Sequence, residues 1–173
     1  PPTSFSGPGV IKPLESAAAE ETRAHLDKHG FCILPHRLDQ ATCEEIVRAL
    51  DRVDFRVKAT SEIVRGYQPQ NVNRISGNTC WVDDQQQFLQ IPQVQQLASD
   101  PTILNLIQDY LGCIPIHDQA NCWWSINHRT SRRTMKSDAQ LYHQDKDFVR
   151  FVKVFVHLND VTDENGPHTY IAG

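Results

Sequence analysis

Ala139-Gln140-Leu141-Tyr142-His143-Gln144-Asp145, continuing through Lys146-Asp147-Phe148 into Val149-Arg150-Phe151-Val152-Lys153-Val154-Phe155-Val156-His157-Leu158, is the stretch from which the fold is read. From Val149 to Leu158, Val152, Val154, Val156 and Leu158 form one apolar face, while Phe151, Lys153, Phe155 and His157 form the other. That alternation has the period of a strand. Asn159-Asp160 opens a polar stretch, Asp163-Glu164-Asn165-Gly166-Pro167 is dense in turn-forming residues, and Thr169-Tyr170-Ile171 begins another short strand. The unit reads as strand, short loop, long strand, turn, strand, which is part of an all-β barrel or jelly roll.

If Gln140 to Asp145 is a strand, His143 and Asp145 share one of its faces, because side chains two apart point the same way. Together they are half of an open metal site. Two histidines and one carboxylate arranged on one face of a metal bind Fe(II) and leave adjacent positions free for a co-substrate and O2. A bare His-x-Asp is also a common pair of solvated loop residues, so its weight comes from the strands around it.

With that context, the sequence resembles the phytanoyl-CoA dioxygenase family of Fe(II)- and 2-oxoglutarate-dependent oxygenases, whose pattern runs from a His-x-Asp strand through a long strand to an Asn-Gly turn. The resemblance extends upstream. His29-Gly30-Phe31-Cys32-Ile33-Leu34-Pro35 and the helix that follows are similar to the family's opening, and Leu97-Ala98-Ser99-Asp100-Pro101 through Tyr110-Leu111-Gly112 to its middle helix. It covers the chain from about Ala17 onward. It implies a mainly β fold with flanking helices, a double-stranded β-helix (jelly-roll) core, and Fe(II) and 2-oxoglutarate as cofactors, with His143 and Asp145 as catalytic metal ligands.

The resemblance also implies a second histidine on a late strand and an arginine for the far carboxylate of 2-oxoglutarate. The sequence ends at Ala172-Gly173 before either. The expectation is therefore a fragment of a longer protein, its jelly roll incomplete at the C-terminus and its third ligand outside these residues. Asn127 stands where the family carries an Asn that contacts 2-oxoglutarate, Phe155 matches an aromatic that lies against it, and Lys153, on the same strand face as Phe155, could offer a cation to a carboxylate. Read as residues alone, Asn127 equally ends a strand, Phe155 equally fills a core, and Lys153 equally reaches for water. The implied reaction decarboxylates the keto acid and oxidises a C–H bond of a small-molecule or acyl substrate with O2. Halogenating relatives replace the aspartate with a small residue, so Asp145 points to hydroxylation or a related oxidation.

Two rivals belong to other classes: a non-catalytic jelly-roll binding protein, and a zinc-dependent hydrolase in which His143 and Asp145 activate water. Such hydrolases usually carry denser histidine spacing. Among the other histidines, His168 is the best substitute third ligand, but it follows Asp145 too soon to match the family's distal histidine. His117, His128 and His157 read as structural. Asp147 shares the parity of His143 and Asp145 and could compete for metal, although a surface role at the strand end is the simpler reading.

Composition fits a soluble enzyme of one domain: 173 residues, 39% hydrophobic and 22% charged. A net charge of −4 argues against non-specific nucleic-acid binding, and Arg129, Arg132, Arg133 and Lys136 are the one basic cluster. No apolar run approaches the roughly 20 residues that cross a bilayer, and no signal peptide or Asn-x-Ser/Thr sequon occurs. Cys32, Cys43, Cys80, Cys113 and Cys122 are odd in number and scattered, which suits reduced thiols rather than a disulfide framework. An intracellular, cytoplasmic location follows.

Along the chain, residues 1–15 read as a flexible N-terminal tail, and 16–173 as N-terminal helices plus most of a jelly-roll dioxygenase domain. Good helix formers predict a helix over 17–28, stopped by Gly30. Thr42 with Glu45 reads as a capping box opening a helix through Leu50, and Asp100-Pro101 opens a helix to Leu111. Strands are expected at Phe31–Leu34, Ala120–Asn127, Gln140–Asp145 and Val149–Leu158, with loops and one or two short strands over Gly66–Val82.

Overall fold

A computed structural model describes residues 3–66, 79–125, 135, 141–165 and 167–172. Helix α1 (Ser16–His29) ends where Gly30 takes a left-handed conformation with φ of 76°, which glycine adopts without a Cβ clash. In α2 (Gln40–Leu50), Asp39 rather than Thr42 is the N-cap: its carboxylate accepts the Thr42 backbone N–H at 2.8 Å and the Thr42 hydroxyl at 2.9 Å. The expected start was three residues late because Asp and Thr are both good caps and sequence alone does not say which carries the extended φ and ψ.

After α2 come two short strands, β1 (Asp54–Val57) and β2 (Ile63–Arg65), which no sequence pattern singled out. Strand β3 (Thr79–Val82) follows, then helices α3 (Gln85–Leu89), α4 (Pro92–Ala98) and α5 (Pro101–Leu111), and finally β4 (Trp123–Ser125). The strands form one antiparallel sheet in the order β2-β1-β3-β4, in register through Phe55 opposite Val82 and Cys80 opposite Trp124. In β1, Phe55 and Val57 are buried while Arg56 points to solvent. They pool with Ile46 and Leu50 of α2, one helical turn apart, and with Val82, Phe88, Ile91 and Val94 into a single core. Burying a side chain such as Phe55, 1% exposed, stabilises by about 1.5–3 kcal/mol.

Helix α5 lies against α1 and begins at the wholly buried Asp100. Residues 1–15 were expected as a flexible tail; here Phe5 N–H donates to Asn105 at 3.0 Å, and Val10 and Ile11 N–H donate to Asp100 Oδ2 at 2.8 and 2.9 Å.

The mainly β expectation is not confirmed by the described residues, which contain five α-helices and a 3-10 helix (Asp163–Asn165) against four strands of three or four residues. Phe31–Leu34 is irregular, with Ile33 85% exposed, and from Ala120 on only Trp123–Ser125 pairs as a strand, residues 126 and 127 lying outside the described set. Residues 142–157 form neither helix nor strand, and Thr169–Ile171 is likewise irregular. Alternation assigns side chains to two faces, but a strand also needs a neighbouring backbone to bond, and these segments are not in the sheet. No helix among the described residues is long and apolar enough to cross a membrane.

Candidate metal centre

His143 and Asp145 sit on the irregular stretch after Leu141. The His143 Nδ1 lies 2.8 Å from the Leu141 carbonyl oxygen. A carbonyl can only accept, so Nδ1 carries a proton and Nε2 is the nitrogen left to bind something else. Nε2 lies 3.3 Å from Asp145 Oδ1. The other carboxylate oxygen, Oδ2, accepts a hydrogen bond from Lys153 Nζ at 2.7 Å. Lys153 Nζ also meets Asp147 Oδ2 at 2.9 Å and lies 5.5 Å from the Phe151 ring centroid.

Charge follows this geometry. The hydrogen bond from Lys153 holds the Asp145 carboxyl below the usual carboxylate range; burial pushes the other way, and the Lys153 and His143 charges add to the lowering. Burial works against the Lys153 ammonium, but hydrogen bonds to Asp145 and Asp147 and the charges of both outweigh it and raise its pKa. The His143 and Asp145 side chains remain 48% and 38% exposed, so they stand at the surface of the described residues.

The pair offers two donors at a spacing that one small divalent ion can bridge. Two donors bound at roughly 2.0–2.2 Å and about a right angle to each other stand about 3 Å apart, close to the 3.3 Å between Nε2 and Oδ1. With the proton of the carbonyl contact on Nδ1, Nε2 faces the Asp145 carboxylate, and a proton or a cation between the two is what holds such a pair together. The carbonyl behind His143 is the kind of outer partner that fixes a ligating imidazole's tautomer. No set of three metal-binding side chains converges among the described residues.

Phe155 lies near this pair within a run of rings. It meets Trp123 edge-on at 5.9 Å and His168 at 4.5 Å, and His168 continues to Tyr170 at 5.3 Å and Tyr170 to Phe31 at 5.5 Å. Burial lowers the His168 pKa, the His157 and His143 charges lower it further, and Asp145 opposes them. His168 therefore shares the neighbourhood of the His143–Asp145 pair. Asn127 lies outside the described residues.

Of the residues singled out in the sequence, His143, Asp145 and Lys153 are brought into direct contact, and Phe155 joins them through His168. Lys153 is engaged by two carboxylates. Asp147 and the Leu141 carbonyl were not counted as site groups. The shared parity of Asp145 and Asp147 was a signal for the first; nothing in a side-chain pattern announces a carbonyl.

Neither a curated protein nor a solved structure matches the chain. A family model, Phytanoyl-CoA dioxygenase (PhyH), matches residues 26–173, from the last turn of α1 through the His143–Asp145 pair to the end of the sequence. The chain belongs to the phytanoyl-CoA dioxygenase family, a family of jelly-roll, 2-oxoglutarate-dependent oxygenases.

Proposed function

We propose that this chain acts as an Fe(II)- and 2-oxoglutarate-dependent dioxygenase that hydroxylates, or otherwise oxidises, a C–H bond of a small-molecule or acyl substrate, with His143 and Asp145 as metal donors. The observation that carries the reading is the 3.3 Å approach of His143 Nε2 to Asp145 Oδ1, each group tied from behind by a separate partner. Bound iron would supply the activation of O2, driven by decarboxylation of the keto acid. The chain's own residues supply position. The Leu141 carbonyl keeps the His143 proton on Nδ1, Lys153 occupies Oδ2 of Asp145, the oxygen not facing His143, and Phe155 packs edge-on against Trp123. Asn127 and Phe155 are the proposed contacts to 2-oxoglutarate, by their match to the family pattern. An aspartate at 145 favours hydroxylation over halogenation, because its carboxylate takes the position a halide would need.

The test is succinate formation from 2-oxoglutarate by the full-length protein with Fe(II) and O2. His143→Ala and Asp145→Ala are each expected to abolish it, since the loss of one donor from an open site removes the metal's defined position. Succinate formation retained in His143→Ala would show that the donor lies elsewhere.

A further inference from the structure

We propose that Lys153 is a positioning residue of the metal centre: one ammonium, shared between Asp145 Oδ2 and Asp147 Oδ2, keeps Asp145 a one-oxygen ligand and withholds Asp147 from the metal. The inference rests on the reading of His143 and Asp145 as donors, and deepens it. Two distances carry it, 2.7 Å to Asp145 and 2.9 Å to Asp147, on a lysine that shares its surroundings with the Phe151 ring.

An isolated surface ion pair of this exposure adds little to stability, so stability alone gives the fork little purpose. Its effect on ligand count is larger. Carboxylates bind divalent ions through one or two oxygens, and a second carboxylate close to a site raises both its negative charge and its number of donors. Without Lys153, two oxygens now held on one ammonium lose that hold and are free to turn toward a bound ion. Each would fill a coordination position that a bidentate keto acid and O2 need open. Lysine suits the task as a compact point charge with three donors, enough to serve both carboxylates at once.

The geometry thus makes Lys153 a guard of open positions rather than a contributor of affinity for the metal. It also separates this role from direct binding of 2-oxoglutarate, the other use a cation at this place could have. Direct binding would be lost with Lys153 whatever Asp147 does. Guarding is lost only while Asp147 is there to intrude.

The experiment uses full-length protein loaded with Co(II), a redox-stable probe whose visible absorption reports its ligands, and measures Co(II) affinity and then 2-oxoglutarate affinity without turnover. Lys153→Met is expected to bind Co(II) no more weakly than the wild type, to change the Co(II) spectrum, and to lose about 10-fold to 100-fold in 2-oxoglutarate affinity. Lys153→Arg, which keeps the charge and the donors, is expected to stay close to the wild type. The double variant Lys153→Met/Asp147→Asn is expected to recover most of the loss. Unchanged 2-oxoglutarate affinity in Lys153→Met overturns the inference while leaving the donor assignment standing. So does a loss that Asp147→Asn does not relieve, which would place the ammonium on the keto acid itself. Co(II) binding that is unaffected by His143→Ala overturns the donor assignment, and the role of Lys153 with it.

Discussion

Asp100 shows how much one side chain can hold together. It is wholly buried, and each carboxylate oxygen accepts two backbone N–H groups: Oδ1 from Thr102 and Ile103 at the start of α5, Oδ2 from Val10 and Ile11 at the end of the N-terminal segment. Only half of this was legible. Asp before Pro101 announces a helix start, but the partners at Val10 and Ile11 lie 90 and 89 residues away, and no local pattern records them. Gly9 belongs to the same arrangement, since a Cβ there would come within 2.6 Å of Asp100 Oδ2. Asp100→Ala removes a cap, a loss of about 1 kcal/mol, and leaves two further N–H groups unpaired near the core at about 1–3 kcal/mol each. The expected destabilisation is therefore about 3 kcal/mol or more in urea unfolding, accompanied by faster proteolysis before residue 12. A loss below about 0.5 kcal/mol would mean that the N-terminal segment takes its hold elsewhere, as such small changes are typical of surface positions.

Among the elements, α1, α2 and α5 were legible in the sequence while the short α3 and α4 and the strands β1 and β2 were not, and the reason is length and where the hydrogen bonds go. A helix bonds within its own segment, so caps and composition suffice: α1 and α5 lie within two residues of the expected ranges 17–28 and 101–111. A strand bonds to a distant neighbour. β1 and β2 are too short for a period to emerge, yet they are paired, while Val149–Leu158 has the period and is unpaired within the observed sheet. The contrast predicts opposite outcomes for two truncations. Phe55→Ala, on a paired strand and 1% exposed, is expected to cost about 3–5 kcal/mol. Val154→Ala, 45% exposed on the irregular stretch, is expected to stay within about 0.5 kcal/mol of the parent. Denaturation midpoints of the two variants decide it, and a loss at Val154 as large as that at Phe55 would restore that stretch to a buried barrel strand.

For the whole molecule, the candidate donors stand, among the described residues, on a stretch without helix or strand. The core gathers residues from Ile46 to Val94, whereas 142–157 carries no regular element and is held mostly by side chains. Arg150 lies 4.9 Å over the Tyr110 ring and donates to the Tyr110 carbonyl, Phe155 meets Trp123, and Leu158 packs on the core. The chemistry of the His143–Asp145 pair was legible because residue type and spacing survive without a fold. Its setting was not, because orientation comes from a backbone carbonyl and from a lysine eight residues on. Segments with few buried contacts open at low free energy, and a ligand that binds only the closed form stabilises it by RT ln(1 + [L]/Kd), about 2.7 kcal/mol at a concentration of 100 Kd. Amides of residues 142–157 are therefore expected to exchange with deuterium much faster than those of Phe55–Val57 in metal-free protein. Adding Co(II) should slow exchange around His143 and Asp145 by up to about 100-fold, the factor that the same linkage allows, while β1 stays as it was. Strong protection of 142–157 before any metal is added would show that the donors are already held in a rigid element, and that metal binding does not have to order them.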